Sequence, residues 1–559
     1  MAEGAALVSQ RRAVAALRQA LGAELVETHI SFVLIGERHA WKIKKALDLG
    51  FADFRTLAQR RRCCEEELRL NRRTAPQLYL RVLALTGTPE APQLDGAGAV
   101  IDWVLCMRAF DQRGLWDRLA ARGMLGAAQI DALVEPLCRL HATAAVAASD
   151  SRCGTPQHVR APMRDNLRVL GRLCDERRER ELLRRLRDWE AQAFAALHDS
   201  FGQRRAEGFV RECHGDLHLG NVTQLHGEPV LFDCLEFSAA LRWTDVASDV
   251  AFMAMDLRAH RLAALAHRFV NAWVERSGDF GALRVLRYYL VHRALVRAKV
   301  AALRARQLGE GEGEGEGEGE GEGEGEGGGA EAAAARAGRR RYLRLALRCA
   351  RAAAPVLLIT HGLSGSGKTA ATQGLLEACG ALRFRADVER KRLHGLQPLQ
   401  RGDAALRERL YSSGASRATH ARLFEMAEVA LRSGHVVILD ATFLAREPRQ
   451  QARALAARTG AAFAILHFAA SPQTLRRRIR QRDARGDDAS DADLAVLESQ
   501  LRCMQPFDDA EREALIVVDA EAELADPAAP SRWLPLAERL RACGVRLRTA
   551  PGWQNRGQL

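Results

Sequence analysis

Hydrophobic and polar positions near the start of the chain predict two short strands followed by a helix. The run 31–35 is rich in β-branched and aromatic residues, and a Gly-Glu-Arg turn separates it from the run 39–44. Two such runs joined by a turn predict an antiparallel strand pair. Residues 55–72 are long, charged and helical in pattern. The chain therefore begins with mixed α and β structure.

The pattern changes twice further along the chain. Helical patterns dominate residues 111–300 and are interrupted by one strand-rich stretch, 209–237. After Pro355, buried-strand runs at 356–360, 436–439 and 463–467 alternate with helical segments. Alternation of this kind predicts a parallel sheet wrapped by helices.

A Gly-Glu repeat between residues 309 and 329 is the plainest break in the pattern. Glycine maximises backbone entropy and the glutamates repel one another, so the repeat cannot form a packed core. The helical patterns on either side, 283–308 and 331–353, could pair as a hairpin. We therefore predict a flexible insertion at 308–330 within a first domain, 1–350, and a second domain at 351–559. An acidic binding segment is the alternative reading of the repeat.

Composition adds few constraints. The 559 residues carry a formal net charge of +13, and the nine glutamates of the repeat mask part of the basic excess. That excess is consistent either with anionic partners or with a protein surface whose charged residues are mostly arginines. None of the twelve cysteines forms a C-x-x-C pair, and there is no hydrophobic leader or long uncharged apolar stretch. We expect a cytoplasmic protein without a membrane span.

The first chemical signal is the segment His214-Gly-Asp-Leu-His-Leu-Gly-Asn221. Asp216 lies five residues before Asn221, and Asp233 follows on a strand-like run. Phosphoryl transfer needs a carboxylate that orients the attacking hydroxyl and hard oxygen ligands for magnesium. These three residues can supply both functions; the alternative is a polar turn with an accidental likeness, which the ordered set of residues disfavours.

The segment resembles the catalytic loop of the aminoglycoside phosphotransferase family, relatives of the protein kinases, and the resemblance covers roughly residues 20–350. It implies an α+β protein-kinase-like fold in which Asp216 is the catalytic base and Asn221 and Asp233 hold Mg²⁺. It also implies that Lys42 contacts the phosphates of ATP. A helix glutamate should fix that lysine; Glu67 is our choice, and its rivals are Glu65 and Glu66.

The chain has only six lysines, so a lysine here more often meets a need for a compact charge. For Lys44 and Lys45, a solvated charge at a strand end is the simpler reading. No glycine-rich loop precedes Lys42; residues 30–36 stand in its place. Nor does a long activation segment follow the catalytic loop. Asp245 and Asp249 could brace that loop or simply cap a helix.

The second signal is Gly362-Leu-Ser-Gly-Ser-Gly-Lys-Thr369, which matches the P-loop pattern and follows a predicted strand. Backbone N–H groups of such a loop and of the following helix bind phosphate. Lys368 should contact the β and γ phosphates of ATP, and Thr369 should ligate Mg²⁺. The residues predicted to build the cradle are Gly362, Ser364, Gly365, Ser366 and Gly367.

Residues beyond the P-loop favour a kinase over a motor ATPase. Asp440 ends a strand-like run as a second Mg²⁺ ligand, but alanine follows it where motor ATPases place a water-activating glutamate. Asp387 lies about twenty residues after the P-loop, where small P-loop kinases place the carboxylate that activates the acceptor. Arg478 and Arg482, spaced i, i+4 on an arginine-rich helix, are candidates for neutralising the transferred phosphoryl group. Other arginines of that helix fit a solvated face.

This half is similar to P-loop kinases related to polynucleotide 5′-hydroxyl kinase and zeta-toxin-like kinases, over residues 355–520. The order of the two halves resembles bacterial fusion proteins described as phosphotransferase and AAA-type ATP-binding proteins. The resemblance implies an α/β P-loop domain and a Mg²⁺-dependent transfer from ATP to a hydroxyl acceptor. Two alternatives are a regulatory ATP-binding protein whose first half senses a ligand, and a kinase that processes nucleic-acid ends.

Overall fold

The computed structural model of the chain describes residues 2–48, 50, 53–174, 176–310, 325–400, 404–485, 488–521 and 530–545. Contacts between residues divide the chain into two compact units. The first unit comprises Met1–Leu173, Gln192–Asp256 and Arg293–Lys299, and the second comprises Cys174–Ala191, Leu257–His292 and Val300–Leu559. The domain boundary at residues 350 and 351 stays a prediction from the sequence.

The first unit begins with a helix and an antiparallel sheet. The elements are α1 (Ala2–Leu21), β1 (Glu24–Glu27), β2 (Ser31–Ile35), β3 (His39–Lys44), α2 (Leu57–Asn71), β4 (Tyr79–Thr88), β5 (Ala91–Leu94) and β6 (Val100–Arg108). The strands lie in the order β1-β2-β3-β6-β4-β5, each antiparallel to its neighbour. The strand pair and the helix predicted from the sequence are both present as β2, β3 and α2.

The two faces of this sheet are covered by different helices. Val14 of α1 packs in one cluster with Phe32 and Leu34 of β2. Cys64 of α2 packs in another cluster with Ala40 of β3. Because side chains alternate along a strand, Lys42 and Lys44 share the face of Ala40, toward α2. This alternation explains why a helix glutamate can reach a lysine of β3.

Helices and two small strand pairs follow the sheet, and they lie in the first unit except for residues 177–191 and 257–259, which group with the second. They are α3 (Trp116–Ala121), α4 (Ala127–Thr143), α5 (Pro156–Leu173), α6 (Arg177–Ala206), β7 (Val210–Glu212), β8 (Val222–Leu225), β9 (Glu228–Leu231), α7 (Ala239–Arg242), β10 (Trp243–Asp245) and α8 (Val246–Ala259). Strand β7 pairs with β10, and β8 pairs with β9, both antiparallel. Short 3₁₀ turns lie at Gln112–Gly114 and Leu219–Asn221. Strands β7, β8 and β9 form the predicted strand-rich stretch.

The second unit is built on a parallel sheet. Its elements are α9 (Ala263–Ser277), α10 (Ala282–Glu310), α11 (Gly325–Ala350), β11 (Val356–His361), α12 (Lys368–Cys379), β12 (Leu382–Arg385), α13 (Ala386–Leu393), α14 (Ala404–Leu410), α15 (Ser413–Arg432), β13 (Val436–Asp440), α16 (Arg446–Thr459), β14 (Ala462–Ala469), α17 (Pro472–Arg485), α18 (Leu494–Cys503), α19 (Asp509–Glu513), β15 (Leu515–Asp519) and α20 (Leu534–Ala542), with a 3₁₀ turn at Pro530–Trp533. The strand order is β12-β13-β11-β14-β15. All four neighbouring pairs are parallel.

The three strands predicted for this half are its central ones, β11, β13 and β14. Side chains such as Val356, Ile438 and Leu466 form its buried core together with Leu375 of α12. The edge strands β12 and β15 were not predicted. Strand β12 reads Leu-Arg-Phe-Arg, so charged positions interrupt its apolar pattern. Strand β15 reads Leu-Ile-Val-Val-Asp, and its apolar run is a signal that the sequence analysis missed. The fold class predicted from the sequence is confirmed for both halves.

Helices α10 and α11 lie on either side of the Gly-Glu repeat and extend into it, so residues 308–310 and 325–330, which were predicted to belong to the flexible insertion, are helical. A guanidinium nitrogen of Arg304 lies 3.1 Å from the carboxylate of Glu331, and Gly338 faces Ala301. The two helices therefore run antiparallel at this end. Residues 311–324 of the predicted flexible insertion lie outside the described residues.

Several helices are long, including α6 with 30 residues and α10 with 29. Charged residues recur throughout both of them. Within the described ranges, no helix is long and apolar enough to cross a membrane.

Candidate active sites

Lys42 lies at the centre of the first candidate site. Its Nζ donates hydrogen bonds to Glu67 Oε1 at 2.7 Å and to Asp233 Oδ1 at 2.6 Å. The neighbouring glutamates of α2 face elsewhere, since Glu65 pairs with Arg61 and Glu66 with Arg69. Of the three glutamates proposed from the sequence, the structure thus brings Glu67 to the lysine.

Burial and charge act in opposite directions on this lysine. Burial alone would lower the pKa of Lys42, but the carboxylates of Asp233 and Glu67 outweigh it and raise the pKa well above its ordinary value. The ammonium group therefore stays charged at physiological pH. A permanent, compact positive charge suits contact with phosphate oxygens.

The reading of Lys44 and Lys45 as solvated strand-end charges is wrong. The Lys44 side chain is fully buried; its Nζ lies 2.5 Å from Glu67 Oε2 and is paired with Glu236. Lys45 is also buried and lies 2.7 Å from Glu27. Strand periodicity places Lys44 on the same face of β3 as Lys42. The sequence gives no sign that Glu236, which is distant along the chain, contacts Lys44. Lys44 and Glu236 are parts of this site that were missed from the sequence.

Asp233 occupies a strained turn that neighbouring side chains hold in place. Its φ of +60° lies in the left-handed region, which is uncommon for a residue with a side chain. The Asp233 N–H donates to the Tyr79 hydroxyl at 3.1 Å, and the Cys234 N–H donates to Asn71 Oδ1 at 2.8 Å. Asn71 donates in turn to the Glu67 carbonyl. The turn carrying Asp233 is therefore tied to the helix carrying Glu67.

The predicted catalytic loop folds around Asp216. Asn221 Nδ2 donates to the Asp216 carbonyl oxygen at 2.9 Å and to its carboxylate at 3.2 Å. Burial would raise the pKa of Asp216, but the charges of His218, Arg297 and Arg293 lower it to about 2. Asp216 is therefore ionised near neutral pH and can accept a hydrogen bond from a hydroxyl group.

The structure assigns different contacts to the two aspartates that follow the loop. The Asp249 carboxylate accepts the backbone N–H groups of His214 at 2.8 Å and Gly215 at 3.0 Å, so it braces the catalytic loop. Asp245 pairs with Arg204 at 2.6 Å and accepts the N–H of Ala247 at the start of α8. Each of the two readings left open by the sequence therefore describes one of the residues.

The structure also shows what lies where kinase-like folds have a glycine-rich loop. Of residues 30–36, which were expected to stand in its place, residues 31–35 are strand β2, and the turn between β1 and β2 is only residues 28–30. The Thr28 N–H closes this turn on the Ser31 carbonyl at 2.9 Å. The first unit thus has a short turn without glycine at this point.

In the second unit, the P-loop links β11 to α12. Gly365 has φ +83°, and a Cβ there would lie 3.0 Å from the Leu475 carbonyl, so this position requires glycine. Lys368 Nζ donates to the carbonyl oxygens of Gly362 and Leu363, both at 2.9 Å. Burial lowers the pKa of Lys368, opposed by the charges of Asp440 and Asp387.

Two oxygen donors meet at the end of β13. Thr369 Oγ1 donates to Asp440 Oδ2 at 2.6 Å. A hydroxyl and a carboxylate are hard oxygen ligands of the kind that Mg²⁺ prefers. The donor set at this point therefore fits magnesium.

A cavity of about 570 Å³ opens beside these groups. Lys368, Thr369 and Asp440 line it together with Asp387. Burial raises the pKa of Asp387, but the charge of Arg390, its hydrogen-bond partner at 2.6 Å, outweighs burial, and the pKa is lowered. The second unit therefore also presents an ionised carboxylate beside its phosphate-binding loop.

Both arginines proposed from α17 line this cavity. Arg478 donates to the Ala520 carbonyl at 2.7 Å, and Arg482 donates to the Ala492 carbonyl. Of the three arginines assigned to the solvated face, Arg477 and Arg480 are exposed, whereas Arg476 is partly buried and pairs with Glu498 at 2.7 Å. The i, i+4 spacing thus identified the cavity-facing side of the helix.

Residues missed from the sequence line the same cavity: Arg385, Arg390, Tyr411, His420 and Asp488. His420 Nδ1 donates to the Ser416 carbonyl at 3.0 Å, and burial lowers the pKa of His420, which keeps the ring neutral. The i, i+3 spacing of Asp387 and Arg390 is a signal that could have found Arg390. No local pattern marks Tyr411 or His420.

Comparison with known proteins bears on both units. Residues 64–286 match the model of a phosphotransferase enzyme family, and residues 357–507 match that of an AAA domain. The chain is 30% identical over 474 residues to Uncharacterized protein Rv2004c of Mycobacterium tuberculosis H37Rv, covering 84% of this chain and 88% of the relative. The chain belongs to the same family as that protein. Uncharacterized protein Mb2027c of Mycobacterium bovis matches at the same identity and coverage.

The predicted fusion of a phosphotransferase half with a C-terminal AAA-type half is confirmed by these matches. The chain is thus an enzyme of the phosphotransferase or kinase class, and its domains use ATP. Two solved structures are also similar. A choline/ethanolamine kinase family protein from Mesorhizobium loti is 13% identical, with TM-score 0.34, over 60% of this chain and 99% of that one. A gluconokinase from Sinorhizobium meliloti is 21% identical, with TM-score 0.25, over 34% and 98%.

Proposed function

We propose that the chain transfers the γ-phosphate of ATP to hydroxyl acceptors at two Mg²⁺-dependent sites, one in each unit. The observation that carries the proposal is the position of Lys42, bonded at once to Glu67 and Asp233. A lysine held by a helix glutamate beside a potential metal ligand is what phosphoryl transfer in a kinase-like fold requires.

At the first site, each residue has a part that its surroundings support. Lys42 contacts the phosphates of ATP. Asn221 and Asp233 offer oxygen atoms that fit Mg²⁺, whose charge would offset that of the phosphates. Asp216, ionised and held by Asn221, orients the acceptor hydroxyl and accepts its proton. Catalysis of this kind relies on positioning and charge rather than on a covalent intermediate.

At the second site, the P-loop backbone and Lys368 bind the phosphates. Thr369 and Asp440 are the residues that would hold Mg²⁺. Asp387 lines the same cavity and orients the acceptor hydroxyl. Arg478 and Arg482 offset the negative charge that develops on the transferred group.

The charges around Asp216 narrow the class of acceptor for the first site. Two of the groups that lower its pKa, Arg297 and Arg293, carry a permanent positive charge. A polycationic acceptor would be repelled by them, whereas a neutral or anionic one would not. We therefore expect a neutral or anionic hydroxyl compound there rather than an aminoglycoside.

A second function has one observation in its favour. The β1–β2 turn of the first unit contains no glycine that would bring backbone N–H groups close to phosphate. The second function is that of a regulatory ATP-binding protein: the first unit is a ligand sensor, and the second unit alone transfers phosphate.

The test is transfer of label from γ-labelled ATP into a bacterial metabolite extract, with an aminoglycoside and a 5′-hydroxyl oligonucleotide as added acceptors. Wild type is compared with Asp216→Ala and Lys368→Ala. A positioned base contributes about a hundred- to ten-thousand-fold, so a product of the first site should vanish in Asp216→Ala. Transfer that depends on Lys368 but not on Asp216 would favour the sensor, and label in the oligonucleotide would favour end processing.

A further inference from the structure

Helix α9 is assigned to one half of the chain by sequence similarity and to the other by its contacts. It lies inside residues 64–286, which match the phosphotransferase family, yet it groups with the second unit. His267 Nδ1 donates to the Glu377 carbonyl of α12 at 2.9 Å. Asn271 Oδ1 accepts the backbone N–H of Arg383 in β12 at 2.7 Å. The helix is thus part of the structure around the P-loop.

Near the end of α9, Glu275 reaches the wall of the P-loop cavity. Its carboxylate lies 3.6 Å from a guanidinium nitrogen of Arg385, and its backbone carbonyl accepts a bond from Arg392. Both side chains are mostly buried, with 24% of Glu275 and 15% of Arg385 exposed. On its other side, Arg385 lies 3.4 Å from Asp488. Arg385 is therefore held between two carboxylates.

Arg385 occupies a chemically sensitive place. It ends β12, is paired in register with Asp440 of β13, and precedes Asp387 by two residues. All three residues line the cavity. If Arg385 lost a carboxylate partner, its guanidinium would turn to Asp387 or Asp440, the carboxylates that the proposed transfer needs free.

We propose that Glu275 is a positioning residue of the second site: it holds Arg385 at the cavity wall, so that a helix from the phosphotransferase segment sets the charge beside Asp387 and Asp440. The proposal rests on the proposed function of the P-loop site. On this proposal the P-loop site is incomplete without α9, although the match to the AAA domain begins only at residue 357.

The test is a double-mutant cycle in the full chain. Every protein carries Asp216→Ala, so that ADP release reports the second site, and the variants are Glu275→Gln, Arg385→Gln and both together. Glu377→Gln is the matched control: its carboxylate bonds Arg268 of α9 at 2.6 Å, is 23% exposed, and lies outside the cavity lining. Rates of Lys368-dependent ADP release, with a protein-free bacterial metabolite extract supplying the hydroxyl acceptors, and MgATP affinities are measured for each protein.

We expect Glu275→Gln to slow ADP release about three- to thirtyfold, the range expected of coupled neighbours. The double variant should match Arg385→Gln alone, and Glu377→Gln should stay within about twofold of its parent. Effects that multiply, a silent Glu275→Gln, or an equal loss in Glu377→Gln would overturn the proposal, because a merely structural role gives one of these results.

Failure of the proposed function would look different. If the parent protein binds MgATP but releases no ADP in the presence of the metabolite extract, the transfer reaction at the second site is refuted. The same four proteins of the cycle are then compared by their affinity for MgATP. Coupling between Glu275 and Arg385 there supports the positioning role, and independent effects overturn it.

Discussion

Replacing Lys44 by methionine should destabilise the first unit more than replacing Lys42. Lys44 is fully buried and pairs with Glu67 and with Glu236, whose side chain is only 3% exposed. Without Lys44, Glu236 either stays charged in the interior or takes up a proton. Removing one partner of a buried ion pair costs about 3–5 kcal/mol of unfolding free energy.

Lys42 differs because its partners are otherwise satisfied. Glu67 keeps Lys44, and the Asp233 side chain is 38% exposed, so water can solvate it. Lys42→Met should therefore cost only about 1 kcal/mol. The double variant Lys44→Met/Glu236→Gln removes both charges of the buried pair and should recover most of the loss caused by Lys44→Met.

The assay is hydrogen exchange of the amides of β3 and α2, measured by mass spectrometry, which reports the free energy of opening of this region. Urea denaturation gives the matching global value. A cost below about 1 kcal/mol for Lys44→Met, or a double variant no more stable than the single one, would refute the assignment of Lys44 as a buried structural charge.

Three further predictions concern nucleotide binding and pH. Lys42→Met should abolish one of two MgATP sites while the fold is retained, as titration calorimetry and circular dichroism would show. Gly365→Ala should weaken MgATP binding at the P-loop at least tenfold, because its Cβ would meet the Leu475 carbonyl; Gly460→Ala, also at positive φ but with open space around it, is the control. Burial, helped by the charges of His467, Arg449 and Lys368, lowers the pKa of His361 from 6.5 to about 3, so only the unfolded chain takes up a proton there below about pH 6.5. Stability should thus fall from pH 7 to 5.5 by about 1 kcal/mol more in wild type than in His361→Gln, and equal losses in urea denaturation would contradict this.

Sequence reasoning worked best where a short segment carries its own chemistry. The P-loop and the catalytic loop are each a single continuous segment of sequence. The spacing of residues within each segment was therefore enough to propose Lys368, Thr369, Asp216 and Asn221 as site residues. The family resemblance led us to expect a helix glutamate beside Lys42, and the structure brings Glu67 to it.

Other parts of the sites depend on contacts distant in sequence. Lys44 reads as a surface charge until α2 and the turn after Asp233 supply Glu67 and Glu236. Arg385 lies on an edge strand too short and too polar to be read as one. Its partner Glu275 is more than a hundred residues away, and a single sequence contains no signal that relates them.

The central claim is that one chain holds two nucleotide sites. The most direct test is the stoichiometry of a non-hydrolysable ATP analogue with Mg²⁺, measured by titration calorimetry on wild type, Lys42→Met, Lys368→Met and the double variant. We predict two nucleotides per chain in wild type, one in each single variant and none in the double variant. One nucleotide per chain in wild type, lost in Lys368→Met and unchanged in Lys42→Met, would contradict the claim.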